Sequence, residues 1–370
     1  MGHRCNADCE FCYYRFKKNK KWKDLERLKK EAERFRYFYR NGFVYFTGGE
    51  PTIYPDILKL IKYCNEIGLK PTIITNGFTL VDKKNCIKFK NAGIDCFLIS
   101  FFGVKKSIDK VTGIKSTYKK QIKVLDNLNA LKIPFRFNVT LHKHNIKQIP
   151  KIAQIAIDKG AINVDFLVFN PYFEWHKIID VDFQERYSNM TKKLIKAIKI
   201  LEDQNIEVNV RYLPICMLKG YEKNVYNFKQ LSYDPYEWDY NSWGNYFIIN
   251  PKEKWYKKEA IRKAVYDGPH VKSEKCKSCS LNSICDGFHK QYMKKFGFGE
   301  EEPYYFGEDI KDPKYFIKRQ ERKEYTYLEP KKTILRYLVE DNSLILDILR
   351  GWLKYLRLKL VQKERYGSLK

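Results

Sequence analysis

Short apolar runs alternate with longer amphipathic stretches in the first part of the chain, and this alternation limits the fold more than any other feature. The runs typical of strands cover 43–49, 70–77, 95–101, 134–141 and 162–170. Helical periodicity covers the stretches 21–40, 55–68, 82–92, 116–131, 145–159 and 182–204. Strands that alternate with helices predict βαβ units around a parallel sheet buried on both faces. In such a sheet, chemistry lies at the carboxyl ends of the strands.

The alternation stops near residue 205, and the composition changes there. The following segment, 206–306, is rich in loops, aromatic residues and cysteines, and 307–370 combines charged sequence with a basic amphipathic stretch. We therefore predict an α/β domain over 1–205, a smaller cysteine-rich domain over 206–306 and a charged linker with a C-terminal helix over 307–370. No repeat stands out.

The net charge of +27 is large, but the lysines are spread over nearly every segment, as on solvated helix faces. A strong positive field attracts anionic partners such as nucleic acid, but the scattered lysines argue against a dedicated binding surface. Nucleic acid is therefore a less favoured alternative that is not excluded. The chain has no apolar run long enough for a membrane span and no signal-peptide pattern at its start. We expect a reducing cytoplasm, where clustered cysteines are metal ligands or catalytic groups rather than disulfides.

Three of the ten cysteines lie within the N-terminal stretch "CNADCEFC" as Cys5, Cys9 and Cys12. Cysteine thiolates are the usual ligands of a cubane [4Fe–4S] cluster, and three ligands for four irons leave one iron open to a non-protein group. A structural zinc site would need a fourth ligand. His3 could supply it but lies only two residues before Cys5.

These residues resemble the signature of the radical S-adenosylmethionine (radical SAM) superfamily, C-x3-C-x-aromatic-C, in which Phe11 is the aromatic residue. A second motif of that family, G-G-E-P, is present as Gly48, Gly49, Glu50 and Pro51 directly after a strand. The resemblance covers about residues 1–205 and implies a partial (β/α)6 TIM-like barrel. In the family a complete first strand precedes the cysteine loop, whereas here only Met1–Arg4 do. Either the chain is truncated at its start, or that strand is short or missing, in which case we expect an exposed edge.

The resemblance also implies a function. A member of the family binds S-adenosylmethionine (SAM) at the open iron of a [4Fe–4S] cluster and cleaves it reductively to a 5′-deoxyadenosyl radical. That radical abstracts hydrogen from a substrate, here unidentified: a peptide, a cofactor precursor or a sugar. The electron would come from a donor such as ferredoxin or flavodoxin.

The same resemblance implies roles for individual residues of these motifs. Gly48 and Gly49 would let the backbone approach the ligand, Glu50 or the carbonyls beside it would accept hydrogen bonds from the SAM amine, and Phe11 would pack near the adenine. Four further polar residues are candidates for contacts to ribose or carboxylate, with ordinary turn and strand-end roles as the alternative: Thr75, Asn76, Ser100 and Asn138.

A second cysteine group follows the predicted barrel. Cys276, Cys279 and Cys285 have the spacing C-x2-C-x5-C, and Cys216 precedes them. The spacing resembles the auxiliary-cluster extensions called SPASM and Twitch domains, although SPASM domains carry seven cysteines and two clusters. Four thiolates suit a second [4Fe–4S] cluster, with zinc as the alternative.

The remaining cysteines and histidines have simpler interpretations. Cys64, Cys86 and Cys96 lie in apolar segments and are predicted to be buried structural thiols. His142 and His144 show no ligand spacing and are interpreted as non-catalytic, with a role in the substrate pocket as the alternative.

The C-terminal stretch 344–360 places five apolar residues on one helical stripe, with basic residues off it: Leu344, Ile348, Trp352, Tyr355 and Leu356. Such a helix packs on its own domain or contacts an anionic membrane surface.

The sequence thus predicts a radical SAM enzyme. An RNA-modifying member of that family is one alternative, although no RNA-binding module is visible. The other is a basic binding protein that zinc stabilises, under which the G-G-E-P motif has no purpose.

Overall fold

The computed structural model describes residues 1–16, 21–38, 42–104, 107–171, 183–227, 230, 270–312 and 315–316. The predicted C-terminal helix, with its stripe and its membrane contact, lies outside the described residues. So does most of the predicted linker. No helix among the described residues is long and apolar enough to cross a bilayer.

Six parallel strands form one open sheet in the order β1-β2-β3-β4-β5-β6. Their bounds are β1 Phe43–Phe46, β2 Lys70–Thr75, β3 Cys96–Ser100, β4 Phe135–Leu141, β5 Asn163–Val168 and β6 Glu207–Arg211. Because sequential strands are neighbours throughout and all run the same way, the sheet is a partial (β/α)6 barrel with β1 and β6 at its edges. The predicted fold class is confirmed.

All five predicted strands are present, and the structure adds a sixth. Glu207–Arg211 pairs with β5 in parallel register, Val164 opposite Val208. This segment lies after the point where we expected the alternation to end, so the sheet extends one strand past residue 205. The predicted domain division is otherwise untested.

Helices lie between the strands as the periodicity predicted, except that α4 (Ser107–Thr112) falls in none of the predicted stretches. They are α1 Leu25–Glu33, α2 Ile57–Glu66, α3 Lys83–Ala92, α4 Ser107–Thr112, α5 Thr117–Ala130, α6 Ile149–Lys159 and α7 Tyr187–Glu202. Local signals set their ends: Asp24 and Asp82 accept hydrogen bonds from the first turns of α1 and α3, and Gly93 and Gly160 end α3 and α6 with positive φ.

The two faces of the sheet differ in chemistry. One face packs against the helices, and its residues are buried in the main core: Val44, Phe46, Ile73, Phe97, Ile99, Phe135, Phe137, Val139, Val164, Phe166, Val208 and Val210. Since successive side chains of a strand point to opposite faces, the alternate residues lie on the inner face. On β4, β5 and β6 these are largely polar, for example Arg136, Asp165 and Asn209.

The chain before the cysteine loop lies beside the carboxyl end of β1. The Gly49 amide donates to the Gly2 carbonyl and the Glu50 amide to the Arg4 carbonyl, both at 2.8 Å. The described residues ahead of β1 contain no strand of the sheet, in line with the predicted short or missing strand. Met1–Arg4 contacts the residues just past the carboxyl end of β1, and the exposed edge of this strand stays a prediction.

A smaller unit follows the barrel. It contains β7 His270–Val271, which pairs antiparallel with β8 Phe288–His289, and then α8 Lys290–Phe296. The Tyr292 ring of α8 stacks on the Tyr187 ring of α7 at 3.7 Å between centroids, and its hydroxyl accepts a hydrogen bond from the Tyr187 amide at 2.9 Å. These contacts join the unit to the barrel in one core.

Candidate cluster and cofactor site

The loop with Cys5, Cys9 and Cys12 is held against the end of α4. The Asp8 amide donates to the Thr112 carbonyl at 3.1 Å, and the Glu10 amide donates to the Val111 carbonyl at 2.8 Å. The loop therefore has a fixed support. Cys9 is buried, Cys12 is half-buried and Cys5 is exposed.

The electrostatics of the three thiols suit a cationic group among them. Burial is the main cause that raises the pKa of Cys5 to about 11, and it raises the pKa of Cys9 further. Negative charge on the neighbouring thiolates adds to both increases. Without metal these thiols are neutral; a bound iron would deprotonate its cysteine ligands and its positive charge would offset the repulsion between the thiolates. The residues present therefore fit the predicted cluster.

The two glycines of the G-G-E-P motif are required by the chain itself. A Cβ on Gly49 would lie 1.9 Å from the Arg4 carbonyl oxygen, and a Cβ on Gly48 would lie 2.3 Å from that of Gly2. Gly48 also has a φ of +139°, which disfavours other residues. We predicted close approach to a ligand; the close approach that the structure contains is to residues 2–4, directly before Cys5.

Glu50 is buried and its carboxylate already has four donors from the protein. Oε1 accepts from the Thr52 amide, the Thr52 hydroxyl and the Thr75 hydroxyl at 3.0, 2.6 and 2.6 Å, and Oε2 accepts from the Asn76 amide at 2.8 Å. Burial raises the pKa of Glu50, and these hydrogen bonds oppose that increase. Because the carboxylate is occupied, the carbonyls beside it are the better candidates for the SAM amine.

Thr75 and Asn76 both lie at this site, but their side chains bind different partners. The Thr75 hydroxyl bonds Glu50 and receives the Gly77 amide at 2.9 Å, so it supports the loop. The Asn76 side chain donates to the Asn6 side chain at 2.8 Å and lies 3.8 Å from the Cys5 sulfur. Asn76 therefore links the end of β2 to the cysteine loop. Pro51, also buried, begins the short helical turn after Glu50.

Phe11 projects into an aromatic group at the end of β4. Its ring lies 5.6 Å from that of His142, 6.1 Å from that of Phe102 and 6.3 Å from that of Phe183. His142 is buried, and its Nδ1 accepts the His144 amide, so Nε2 carries the proton of the neutral ring. This apolar group around Phe11 could hold the adenine.

Ser100, the last residue of β3, lies opposite Asn138 in β4. The same row continues on the inner face through Asp165 to Asn209. These last two were not predicted as site residues. The signal was available, because β4, β5 and β6 place polar residues at every second position of otherwise apolar strands.

The four cysteines of the second group line one pocket. Cys216 lies in a turn just after β6, whereas the other three lie on the loop between β7 and β8. The Gly287 amide donates to the Cys285 sulfur and the Tyr304 amide to the Cys279 sulfur, both at 3.4 Å. Burial is the main cause that raises the pKa of Cys216 to about 12, and the other three thiolates add to it. As at the first site, a bound cation would compensate.

Within the described residues, no three His, Cys, Asp or Glu side chains are arranged to hold a single metal ion. This weighs against zinc at the second cysteine group, whereas in a [4Fe–4S] cluster each cysteine binds a different iron. Cys64, Cys86 and Cys96 are separately buried in the barrel, as predicted for structural thiols.

Comparison with known proteins identifies the class. Residues 1–156 match the model of the Radical SAM superfamily. The PqqA peptide cyclase of Bradyrhizobium diazoefficiens is 27% identical over 181 residues, which are 47% of this chain and 46% of that protein. The Fe-coproporphyrin III synthase of Methanosarcina barkeri is 32% identical over 170 residues, 45% of this chain and 42% of that protein. This chain thus spans less than half the length of these curated relatives.

The fold comparison agrees. The crystal structure of Streptococcus suis SuiB bound to precursor peptide SuiA superposes with a TM-score of 0.52 at 18% identity, covering 82% of this chain and 73% of that chain. This likeness agrees with the partial-barrel fold. Residues 1–156 match the radical SAM family model, whose members use a [4Fe–4S] cluster and SAM, as the resemblance seen in the sequence predicted.

We expect the substitution Gly49→Ala to disrupt the site. The new methyl group must displace the Arg4 carbonyl, so unfolding free energy should fall by about 2 kcal/mol or more and iron content after anaerobic reconstitution should drop. Gly42→Ala is the matched control, since a Cβ there has nothing within 4 Å. Thermal denaturation and iron analysis check both. Equal stability and iron in the two variants would refute the described approach of the two segments.

Proposed function

We propose that this protein cleaves SAM reductively at a [4Fe–4S] cluster held by Cys5, Cys9 and Cys12 and removes a hydrogen atom from a peptide. The observation that carries the proposal is the position of this loop. Its first thiol, Cys5, lies 3.8 Å from the Asn76 side chain, and it directly follows residues 2–4, in which the Gly2 and Arg4 carbonyls bind the G-G-E-P backbone. A peptide substrate is supported by the PqqA peptide cyclase relatives. A cofactor precursor or a sugar is the less supported substrate.

The bound cluster and SAM would supply the one-electron chemistry, and the protein would supply binding and orientation. The three cysteines would hold the cluster, and SAM would bind the iron that they leave without a protein ligand. The carbonyls beside Glu50 accept hydrogen bonds from the SAM amine. Phe11 and the rings around it exclude water from the adenine, while Ser100 and Asn138 offer polar contacts to its ribose or carboxylate.

Glu50 acts in this scheme through the loop and not on SAM. Its four donors come from two points of the chain, Thr52 after β1 and Thr75–Asn76 at the end of β2, so the carboxylate fixes one end relative to the other. Hydrogen bonds to a charged group are each worth about 1.5–3 kcal/mol. The carbonyls that face SAM are thereby held in place before SAM binds.

The second cysteine group would hold a second [4Fe–4S] cluster through Cys216, Cys276, Cys279 and Cys285. With four thiolates the cluster is fully ligated, so its role is electron transfer or structure. Zinc on the same four residues is the alternative. A donor such as ferredoxin or flavodoxin and a cytoplasmic location stay predictions.

Anaerobic reconstitution with dithionite and SAM tests the main proposal. We expect 5′-deoxyadenosine from the wild type and a background level from Cys9→Ala, because the cluster loses a ligand. Cys64→Ala is the matched control, a buried cysteine in α2 outside both sites, and should keep the activity. Liquid chromatography with mass detection measures the product.

Equal product from wild type and Cys9→Ala would remove the site assignment. An RNA-modifying enzyme would instead form product in response to added RNA. A zinc-stabilised binding protein would form none and would contain stoichiometric zinc.

The substitution Cys279→Ala separates the two sites. Iron should fall from about eight to about four per chain, since only the second cluster is lost. The N-terminal cluster should persist in its optical and Mössbauer spectra. Stoichiometric zinc in the wild type, lost in this variant, would favour the zinc alternative for the second site.

A further inference from the structure

The inner face of β4, β5 and β6 carries a buried polar group that none of the roles above uses. Arg136, Asn163, Asp165 and Asn209 are each at most 1% exposed. They lie on adjacent strands, with Asp165 between Asn138 and Asn209 in register. Charged and amide side chains are rarely buried so completely unless something pairs with them.

Part of this group is bonded within the protein. The Asn209 side-chain amide donates to Asp165 Oδ1 at 2.8 Å. The Arg136 guanidinium lies 4.0 Å from Asp165 Oδ2, donates to the Tyr45 hydroxyl at 3.3 Å and covers the Tyr45 ring. These contacts fix the orientation of Asn209 and place a positive charge beside the carboxylate.

The rest of its hydrogen-bonding capacity is unused by the described residues. Asp165 Oδ2, Asn209 Oδ1, Asn138 Oδ1 and both polar atoms of the Asn163 side chain have no hydrogen-bond partner there. A buried polar atom without a partner costs about 1–3 kcal/mol. Several such atoms on one face of the sheet lower the stability of the fold. We therefore interpret them as atoms that bind a ligand.

The register places this group beyond the SAM contacts. Asn76, beside Cys5, follows Thr75, the partner of Ile99, and therefore lies level with Ser100 on the next strand. Ser100 pairs with Asn138, and Asn138 pairs with Asp165. Neighbouring strands are about 4.8 Å apart, so Asp165 lies roughly 14 Å along the sheet from Asn76. Ser100 and Asn138 lie between, where SAM is expected, and Asp165 lies on the far side, where a substrate would meet it.

We propose that Asn163, Asp165 and Asn209 form a substrate subsite for an uncharged group that carries O–H or N–H donors, such as a hydroxyl or amide side chain of a peptide. This rests on the proposed function. The unused atoms of these three residues are three oxygens and one nitrogen, so the subsite mainly accepts hydrogen bonds. Arg136 compensates Asp165, which disfavours an ammonium group, and the oxygens repel a carboxylate.

Saturation-transfer NMR on the anaerobically reconstituted full chain with SAM tests the subsite. The probes are the N-acetyl amides of tyrosine, serine, lysine and glutamic acid. We expect the tyrosine or serine probe to bind and the lysine and glutamic acid probes to bind at least about tenfold more weakly. The proposal is overturned if the lysine or glutamic acid probe binds more tightly than the hydroxyl probes, or if neither hydroxyl probe binds.

The substitution Asn163→Leu separates ligand binding from structure. Leucine has a similar size and no polar atoms, so the variant should denature at a higher temperature than the wild type while losing the hydroxyl probe. Asn127→Leu is the matched control. Asn127 is also buried, but its amide donates to the Leu80 and Val81 carbonyls at 2.9 Å. That variant should be less stable and should still bind the probe. An Asn163→Leu protein that is destabilised and binds the probe normally contradicts the subsite.

A second variant tests the charge balance. Asp165→Asn removes the charge that offsets Arg136, so preference should shift towards the glutamic acid probe. Unchanged preference counts against the proposal. No reductant is present, so a failure of SAM cleavage leaves these binding results readable and the two proposals stand or fall separately.

Discussion

The buried carboxylate of Glu50 is the interaction on which the candidate site depends. A fully desolvated charge persists only where donors surround it, and here they come from the turn after β1 and from the end of β2. The same backbone binds Gly2 and Arg4, and the cysteine loop begins at the next residue. One buried charge thus sets the position of the carbonyls expected at SAM and of the first thiol expected at iron.

Much of this arrangement could be predicted from the sequence. The five strand runs are apolar and short, the helices between them have clear periodicity, and both cysteine spacings are local patterns. The structure brings Cys216 to the other three cysteines of its group, although sixty positions separate it from Cys276. That pairing was predicted from the ligand count, and it needed β6 to carry Cys216 back to the carboxyl edge of the sheet.

Other features depend on tertiary contacts that no local pattern contains. β6 was missed because Glu207–Arg211 alternates polar and apolar residues and directly precedes a loop-rich segment, to which the sequence pattern assigned it. The hydrogen bonds of Glu50 could not be predicted, because its four donors lie up to 26 residues away. The need for Gly48 and Gly49 to approach residues 2–4 is likewise visible only once the chain is folded. The polar inner row was readable in principle, since its period of two differs from the apolar face.

The central claim is that the N-terminal thiols hold a cubane with one iron open to SAM. Electron paramagnetic resonance of dithionite-reduced Cys279→Ala protein, titrated with SAM, tests it most directly, because that variant isolates the N-terminal site. The account predicts a reduced [4Fe–4S] signal whose g values shift as SAM is added. A cubane signal that ignores SAM, or the absence of any such signal from iron-loaded protein, would contradict it.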